Sequence, residues 1–298
     1  MGKNMNLRVC LALFAVVFCI SACEKNIQIQ LQEQQPALVV DASIENDRPP
    51  VVLLSKSIDF YSQISPGILE ASFVHGAEIE ISDGTLSNKL TEYTVDSGDL
   101  RISYYSVDNT DPANSIIGKL NTGYSLKILV DGKVYEAVTG IPSITRRIDG
   151  LWWEPAPNNP DTSLVRVVVK ATDPKGLGDY IRYFTKTDSE PFYAGYNSVF
   201  DDDVIDGTTY TLPVDRGVDK NVKHKDDDLF FRRGDTVTLK VCNIDKATFD
   251  FWRTFEFTYQ SIGNPFSSPA KVLGNISNGA LGYFGGYAAQ FRTIIIPK

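Results

Sequence analysis

Apolar and polar residues alternate with a period of two along most of this chain. Val40, Ala42 and Ile44 alternate with Asp41, Ser43 and Glu45, which places the two sets on opposite faces of an extended strand. Ala77, Ile79 and Ile81 alternate in the same way with Glu78, Glu80 and Ser82, and Asp83-Gly84 ends that run. Tyr124, Leu126, Ile128 and Val130 line one face of a further strand; Asp131-Gly132 follows and Lys133 to Val138 returns. That is a type I′ hairpin signal, because both central residues must reach positive φ. Residues 37–142 thus predict about seven short strands and no helix, an antiparallel sandwich of immunoglobulin-like or transthyretin-like kind.

Gly140-Ile141-Pro142 and the pair Arg146-Arg147 mark a boundary, after which the aromatic content changes. Residues 24–145 hold 8 Phe, Tyr and Trp in 122 positions and residues 146–298 hold 23 in 153, so the second part must bury or display many more rings. Its period is still two. Val165, Val167, Val169 and Ala171 alternate with Arg166 and Lys170, Asp173 to Gly176 makes a turn, Tyr180 to Thr185 resumes, and Val237, Leu239 and Val241 share a face. Asp245 to Gln260 reads two ways. Phe249, Phe251, Phe255, Phe257 and Tyr259 all fall on odd positions, as a strand would have them, but Phe249, Trp252, Glu256 and Tyr259 share one side of a helix that Asp245 would cap. The cap favours one helix packed on the sheet. The expected fold is mainly β, with two tandem β domains: a sandwich over 37–145, and over 146–298 an aromatic-rich sandwich or barrel with one helix.

The N-terminus breaks the pattern. Lys3 and Arg8 precede an almost unbroken apolar run, Val9 to Ile20, and Ser21-Ala22 lead to Cys23. A run of about a dozen apolar residues is short for a membrane span of roughly 20 and suits a signal peptide over residues 1–22. Ile20-Ser21-Ala22-Cys23 resembles the bacterial lipobox. That resemblance implies cleavage before Cys23 and a diacylated N-terminal cysteine, and two acyl chains anchor stably without a membrane-spanning helix. Residues 23–36, polar and Gln-rich, read as a lipidated tether.

Charge and cysteine counts narrow further once the leader is removed. The whole chain carries 29 Lys+Arg against 37 Asp+Glu; without Lys3 and Arg8 the balance is 27 against 37, a net charge of −10. Such a surface excludes a generally basic nucleic-acid binder, and leaves acyl chains, not a basic patch, to hold the protein at the membrane. Cys10 and Cys19 leave with the signal and Cys23 takes lipid, so Cys242 remains as a lone thiol with no partner for a disulfide.

Catalytic signatures are missing from the pattern: there is no G-x-S-x-G elbow, H-E-x-x-H, Walker loop or C-x-x-C. His75 and His224 read as loop histidines and Cys242 as inert packing in a strand. No cofactor is implied. Asp201, Asp202, Asp203 and Asp206 read as a solvated acidic turn, with calcium as the alternative because carboxylate oxygens are its ligands; Asp226-Asp227-Asp228 is a second such run. The aromatics carry the binding hypothesis. Trp152, Trp153, Tyr193, Tyr196 and Phe200 are candidates for a ligand or partner surface, since rigid rings offer large area at little entropic cost. The competing reading for each is a core aromatic beneath a loop.

Several short motifs in order carry a family resemblance. They are Leu38-Val39-Val40, Ile44-Glu45-Asn46, Pro49 to Leu53, Gly76 to Ile79 near Asp83-Gly84, Gly123 to Leu126, Tyr135 to Ala137, Asp173-Pro174, Gly263 to Phe266, Asn275-Ile276 and Gly282 to Gly285. After a lipobox, this order resembles the Bacteroidota outer-membrane lipoprotein family catalogued as domain of unknown function 4249, over essentially the whole mature chain. Asp179 stands where the family pattern has an asparagine. Gly282 to Tyr287 reads as a tight turn and close packing. The family has no assigned activity, so no catalytic residue carries over. The resemblance implies an outer-membrane lipoprotein, anchored through acylated Cys23, that works beside a TonB-dependent receptor in nutrient capture or assembly. A small nutrient, a glycan or a peptide would be its ligand, and either face of the outer membrane would suit it. A structural or adhesive surface protein is the alternative reading, and a hydrolase with an unfamiliar site a weaker one.

Overall fold

The computed structural model describes residues 36–58, 64–108, 110–264 and 271–298. The expected signal peptide, Cys23 and, apart from Pro36, the expected tether lie outside the described residues. Among those described, no helix is long and apolar enough to cross a membrane.

Among the described residues, period-two alternation becomes sixteen strands in three sheets. The largest has the order β12-β11-β15-β16-β1-β2-β6-β5, built from β1 (Leu38–Glu45), β2 (Val51–Lys56), β5 (Thr91–Ser97), β6 (Leu100–Ser106), β11 (Tyr180–Thr187), β12 (Tyr193–Phe200), β15 (Thr236–Ile244) and β16 (Leu281–Ile295). Its neighbours are antiparallel except β1 and β16, which run parallel with Asp41 opposite Tyr283 and Glu45 opposite Tyr287. A second sheet has the order β4-β3-β7-β8: β3 (Glu78–Ser82), β4 (Ser87–Lys89), β7 (Thr122–Val130) and β8 (Lys133–Ile141). In the third, β10 (Leu164–Thr172) pairs with β9 (Arg147–Pro155), β13 (Thr209–Val214) and β14 (Phe231–Arg232). No described sheet closes into a barrel. The β7–β8 turn is the expected one, with Asp131 at φ 51° and Gly132 at φ 71°.

Side chains on the back of the large sheet meet the two smaller sheets. Val40, Ala42, Ile44, Val52 and Leu54 pack with Ile79, Ile81, Leu126 and Ile128 in one core, which also takes Phe284 and Ala288 of β16. Ile181, Tyr183, Val237, Leu239 and Val241 pack with Val165, Val167, Val214 and Phe231 in a second. Apart from Phe284 and Ala288, these two cores part near residue 145, but the sheets do not. Strands from both sides of it share the large sheet, β16 joins them, and residues 36–298 form one compact unit. Two tandem domains are corrected to one. Alternation along a strand reports which residues are buried, whereas the pairing partner of β16 is a non-local choice.

Among the described residues two α-helices interrupt the strands. The short α1 (Pro66–Ser72), capped by Ser65 whose side chain accepts from the Ile68 amide, corrects the expectation of no helix over 37–142. Helix α2 (Lys246–Ser261) begins as expected, with the Asp245 side chain accepting from the Thr248 amide. Asp245 does more than cap, since its Oδ2 also accepts from Thr139 Oγ1 at 2.7 Å and the Gly140 amide at 3.1 Å. The helix is thereby fixed to β8. Thr248, Phe249, Phe251 and Glu256 are buried against the front of the large sheet, while Phe257 and Tyr259 of the odd-numbered aromatic set face outward.

Gly282 to Tyr287 is extended strand, which corrects the expected tight turn. The close packing is present. A Cβ on Gly282, at φ +99°, would sit 1.9 Å from the Val40 carbonyl oxygen, and one on Gly286 would sit 2.3 Å from that of Gly140. These glycines let β16 lie between β1 and β8.

Candidate functional site

Period two puts Asp41, Ser43 and Glu45 on the front of β1, opposite the residues that enter the core. Arg182 and Phe184 of β11, Lys240 of β15, and Tyr283 and Tyr287 of β16 come to the same face, because paired strands in register present like faces together. Trp252 and Phe255 of α2 form one wall, and Phe192, Tyr193 and residues 218–221 another. Together they enclose a cleft of about 520 Å³.

Its centre is Arg182, only 5% exposed. The guanidinium carbon lies 3.3 Å from the centre of the Trp252 ring and 4.7 Å from that of Phe184. Nε donates to Ser198 Oγ at 3.1 Å and Nη1 to the Tyr287 hydroxyl at 3.3 Å. Ser198 Oγ donates in turn to Glu256, which also accepts from the Ser198 amide. The buried cation and the buried carboxylate are thus joined through a hydroxyl. Among the described residues no carboxylate oxygen comes within ion-pair distance of Arg182. Stacking on two rings and weak hydration of guanidinium make such a burial tolerable.

A second line of polar contacts crosses the floor. Trp252 Nε1 donates to the Tyr287 hydroxyl at 2.9 Å, and that hydroxyl donates to Tyr283 at 3.2 Å. The Tyr283 hydroxyl favours the charged form of Asp41. Asp41 keeps water-accessible surface through the mouth although protein surrounds it on most sides; desolvation raises its carboxyl, against the opposing pull of Arg182 and Tyr283. Lys240 is ion-paired with Glu45 and sits among the rings of Phe184, Phe192 and Phe291, its nitrogen 5.2 to 5.9 Å from their centres. Lys220 lies 3.9 Å from Glu256 Oε1, and burial lowers its ammonium. The cleft therefore presents cations and carboxylates between aromatic walls, a surface for a ligand with both a charged group and a flat or apolar part.

The sequence-nominated aromatics divide among different places. Tyr193 lines the cleft, and Lys220 lies over the Tyr196 ring at 5.9 Å. Phe200 stacks on Tyr183 at 6.0 Å and lines a second, mostly apolar cavity of about 480 Å³ behind the large sheet. Trp153 packs on the second core with Arg233 over its ring, and Trp152 donates to Glu154. They are not one platform. The four acidic candidates also part company. Asp202 is fully buried, Asp206 accepts from the Gly176 amide, Asp201 is half-buried and Asp203 is exposed.

Arg182, Trp252, Tyr287 and Asp41 escaped the sequence reading. Asp41 looked like the solvent face of a half-buried strand. A polar residue every second position has that appearance whether it meets water or a cleft. His75 has a partner that sequence did not offer. Its Nδ1 is 2.6 Å from Glu92 Oε1, and Glu92 also accepts from the Gly76 amide, Ser103 and Tyr105. Ser103 donates to Glu92, not to the imidazole, so the three do not form a nucleophile–base pair. Burial pushes the Glu92 carboxyl up, but these hydrogen bonds outweigh it and hold it at about 2. Cys242 is fully buried under α2, and desolvation pushes its thiol up to about 12.

A family model described as Domain of unknown function (DUF4249) matches residues 24–293. None of the curated proteins matches the chain.

Proposed function

The chain belongs to the DUF4249 family, and from that premise we propose that it is a lipid-anchored binding protein of the outer membrane. Its cleft captures a small nutrient, glycan or peptide, which it presents to a TonB-dependent receptor. The observation that carries the reading is the environment of Arg182. A guanidinium held between two rings, with no carboxylate paired to it, is a pre-organised receiver for an anionic group, and its partners are already fixed before a ligand arrives. Phe192, Tyr193 and Phe255 supply the surface on which the rest of such a ligand would lie. The lipobox supports the anchor, and the acidic mature surface supports acyl chains as its means.

Trp252 is a built-in reporter, because a ligand reaching Arg182 changes the surroundings of the indole. Intrinsic fluorescence of the full chain is titrated with acidic oligosaccharides and with short peptides, and compared with Arg182→Met. Saturable changes in the wild type that the variant loses support the reading. Absence of saturable change across both classes, together with recovery of the protein free of any receptor after crosslinking in native membranes, sinks it.

A further inference from the structure

Three carboxylates meet where β10, β11 and β12 end. Asp173 follows β10, Asp179 precedes β11 and Asp202 follows β12. One oxygen of each lies within 4.8 Å of the others. Asp173 and Asp202 are 1% and 0% exposed. The loops that carry them are locked together. The Asp202 carboxylate accepts from the Gly178 amide at 3.0 Å and the Asp179 amide at 3.0 Å; the Asp206 carboxylate accepts from the Gly176 amide, and the Gly207 amide donates to the Pro174 carbonyl. Gly176 and Gly178, at φ 129° and 114°, make the approach of the 173–179 loop possible.

One cation is already present. Arg146, 1% exposed, donates from Nε to Asp173 Oδ1 at 2.8 Å. Asp173 Oδ2 is buried and takes no hydrogen bond, although its side chain is wholly enclosed. A buried carboxylate oxygen without a partner is costly. Three carboxylates and one guanidinium leave two negative charges in this enclosure.

We propose that Asp173, Asp179 and Asp202 bind one calcium ion that pins the 173–179 loop to the acidic turn after β12. The charge balances: a divalent cation neutralises what Arg146 leaves. The size fits, since oxygens on opposite sides of Ca²⁺ stand about 4.8 Å apart at bond lengths of about 2.4 Å. Oxygen-only donors select a hard cation, and loop-borne carboxylates suit the variable geometry of calcium better than the tight octahedron of magnesium. Asp173 Oδ2 is the oxygen that residue has left to give. Asp179 brings the third carboxylate, whose Oδ1 accepts from Thr145 Oγ1 at 2.7 Å. The site involves the acidic run that the sequence brings to notice, but only one member of it, Asp202, turned inward.

The full chain in detergent, stripped with EGTA, is titrated with CaCl₂ by calorimetry and followed by thermal melting. One equivalent should bind, and the melting temperature should rise by several degrees at saturation, as for any ligand of the folded state alone. Asp179→Asn should lower the affinity at least about tenfold while melting no lower than the wild type in EGTA, because it removes one of three repelling charges. Asp203→Asn, in the exposed part of the run, should bind like the wild type. No heat and no shift up to ~10 mM Ca²⁺, an order above the weakest extracellular sites, would falsify the assignment. So would equal loss of binding in Asp179→Asn and Asp203→Asn, which would put the ion on the outer turn.

Discussion

Arg182 lies against Trp252 with its guanidinium carbon 3.3 Å from the centre of the indole ring. The two residues come from β11 and α2, seventy positions apart in the chain, and the contact exists because α2 packs across the front of the large sheet. Arg182→Lys keeps the charge but loses the planar stack and the fork that reaches both Ser198 and Tyr287. It should cost about 2–3 kcal/mol in urea unfolding and shift the Trp emission of the folded protein. A variant as stable as the wild type would mean the stack is incidental.

Asp245 is the next point of leverage. An ordinary helix cap contributes about 1 kcal/mol, but this one also serves Thr139 and Gly140 of β8. Asp245→Ala is expected to cost about 2–4 kcal/mol, since it leaves two more polar groups unmatched. Thr139→Val carries a cost of its own, since Thr139 Oγ1 also accepts from the Gly286 amide at 2.8 Å, but the double variant should lose less than the two single losses added, because the two residues share one hydrogen bond. Denaturant midpoints of the four proteins in this cycle check it.

Gly282 allows β1 and β16 to run side by side. Gly282→Ala combines a strained φ of +99° with a Cβ 1.9 Å from backbone, so the parallel pairing must open. Loss of near-ultraviolet dichroism, or of soluble protein, is the expected outcome. Gly67→Ala meets nothing within 4 Å and should change stability by no more than about 0.5 kcal/mol.

Acid should act through Glu92. Its carboxyl is held at about 2 in the folded protein against an ordinary value of 4.5. A depressed folded value means a contribution fully present above pH 4.5 that is lost as pH falls towards about 2. The slope of stability against pH in that window should flatten in Glu92→Gln, which should also be less stable at pH 7. An unchanged slope would assign acid sensitivity to other carboxylates.

Cys242 offers a measure of global opening. With no exposure and a thiol pushed up to about 12 by desolvation, it should react with a disulfide reagent only when β15 separates from α2. The labelling rate at pH 8 should follow the unfolding equilibrium in urea. Fast labelling in the native protein would show that α2 lifts locally.

Alternation of apolar and polar residues was enough to read the strands, the Asp131-Gly132 hairpin and the helix behind Asp245, because each depends on residues a few positions apart. The order of short motifs was likewise local, and the family match over residues 24–293 agrees with it. Sequence left the sheet order open. Whether β16 pairs with β1, and so whether 37–145 stands alone, is decided by glycines whose missing side chains leave room for distant backbone. The same holds for the cleft. Asp41 and Arg182 each look like ordinary polar residues of a strand, and only the registers of β1, β11 and β16 bring them beneath Trp252. Burial of a charge is a property of everything that surrounds it. A run of aspartates can therefore be seen in the sequence, but which one turns inward to meet Asp173 and Asp179 is settled only when three strand ends converge.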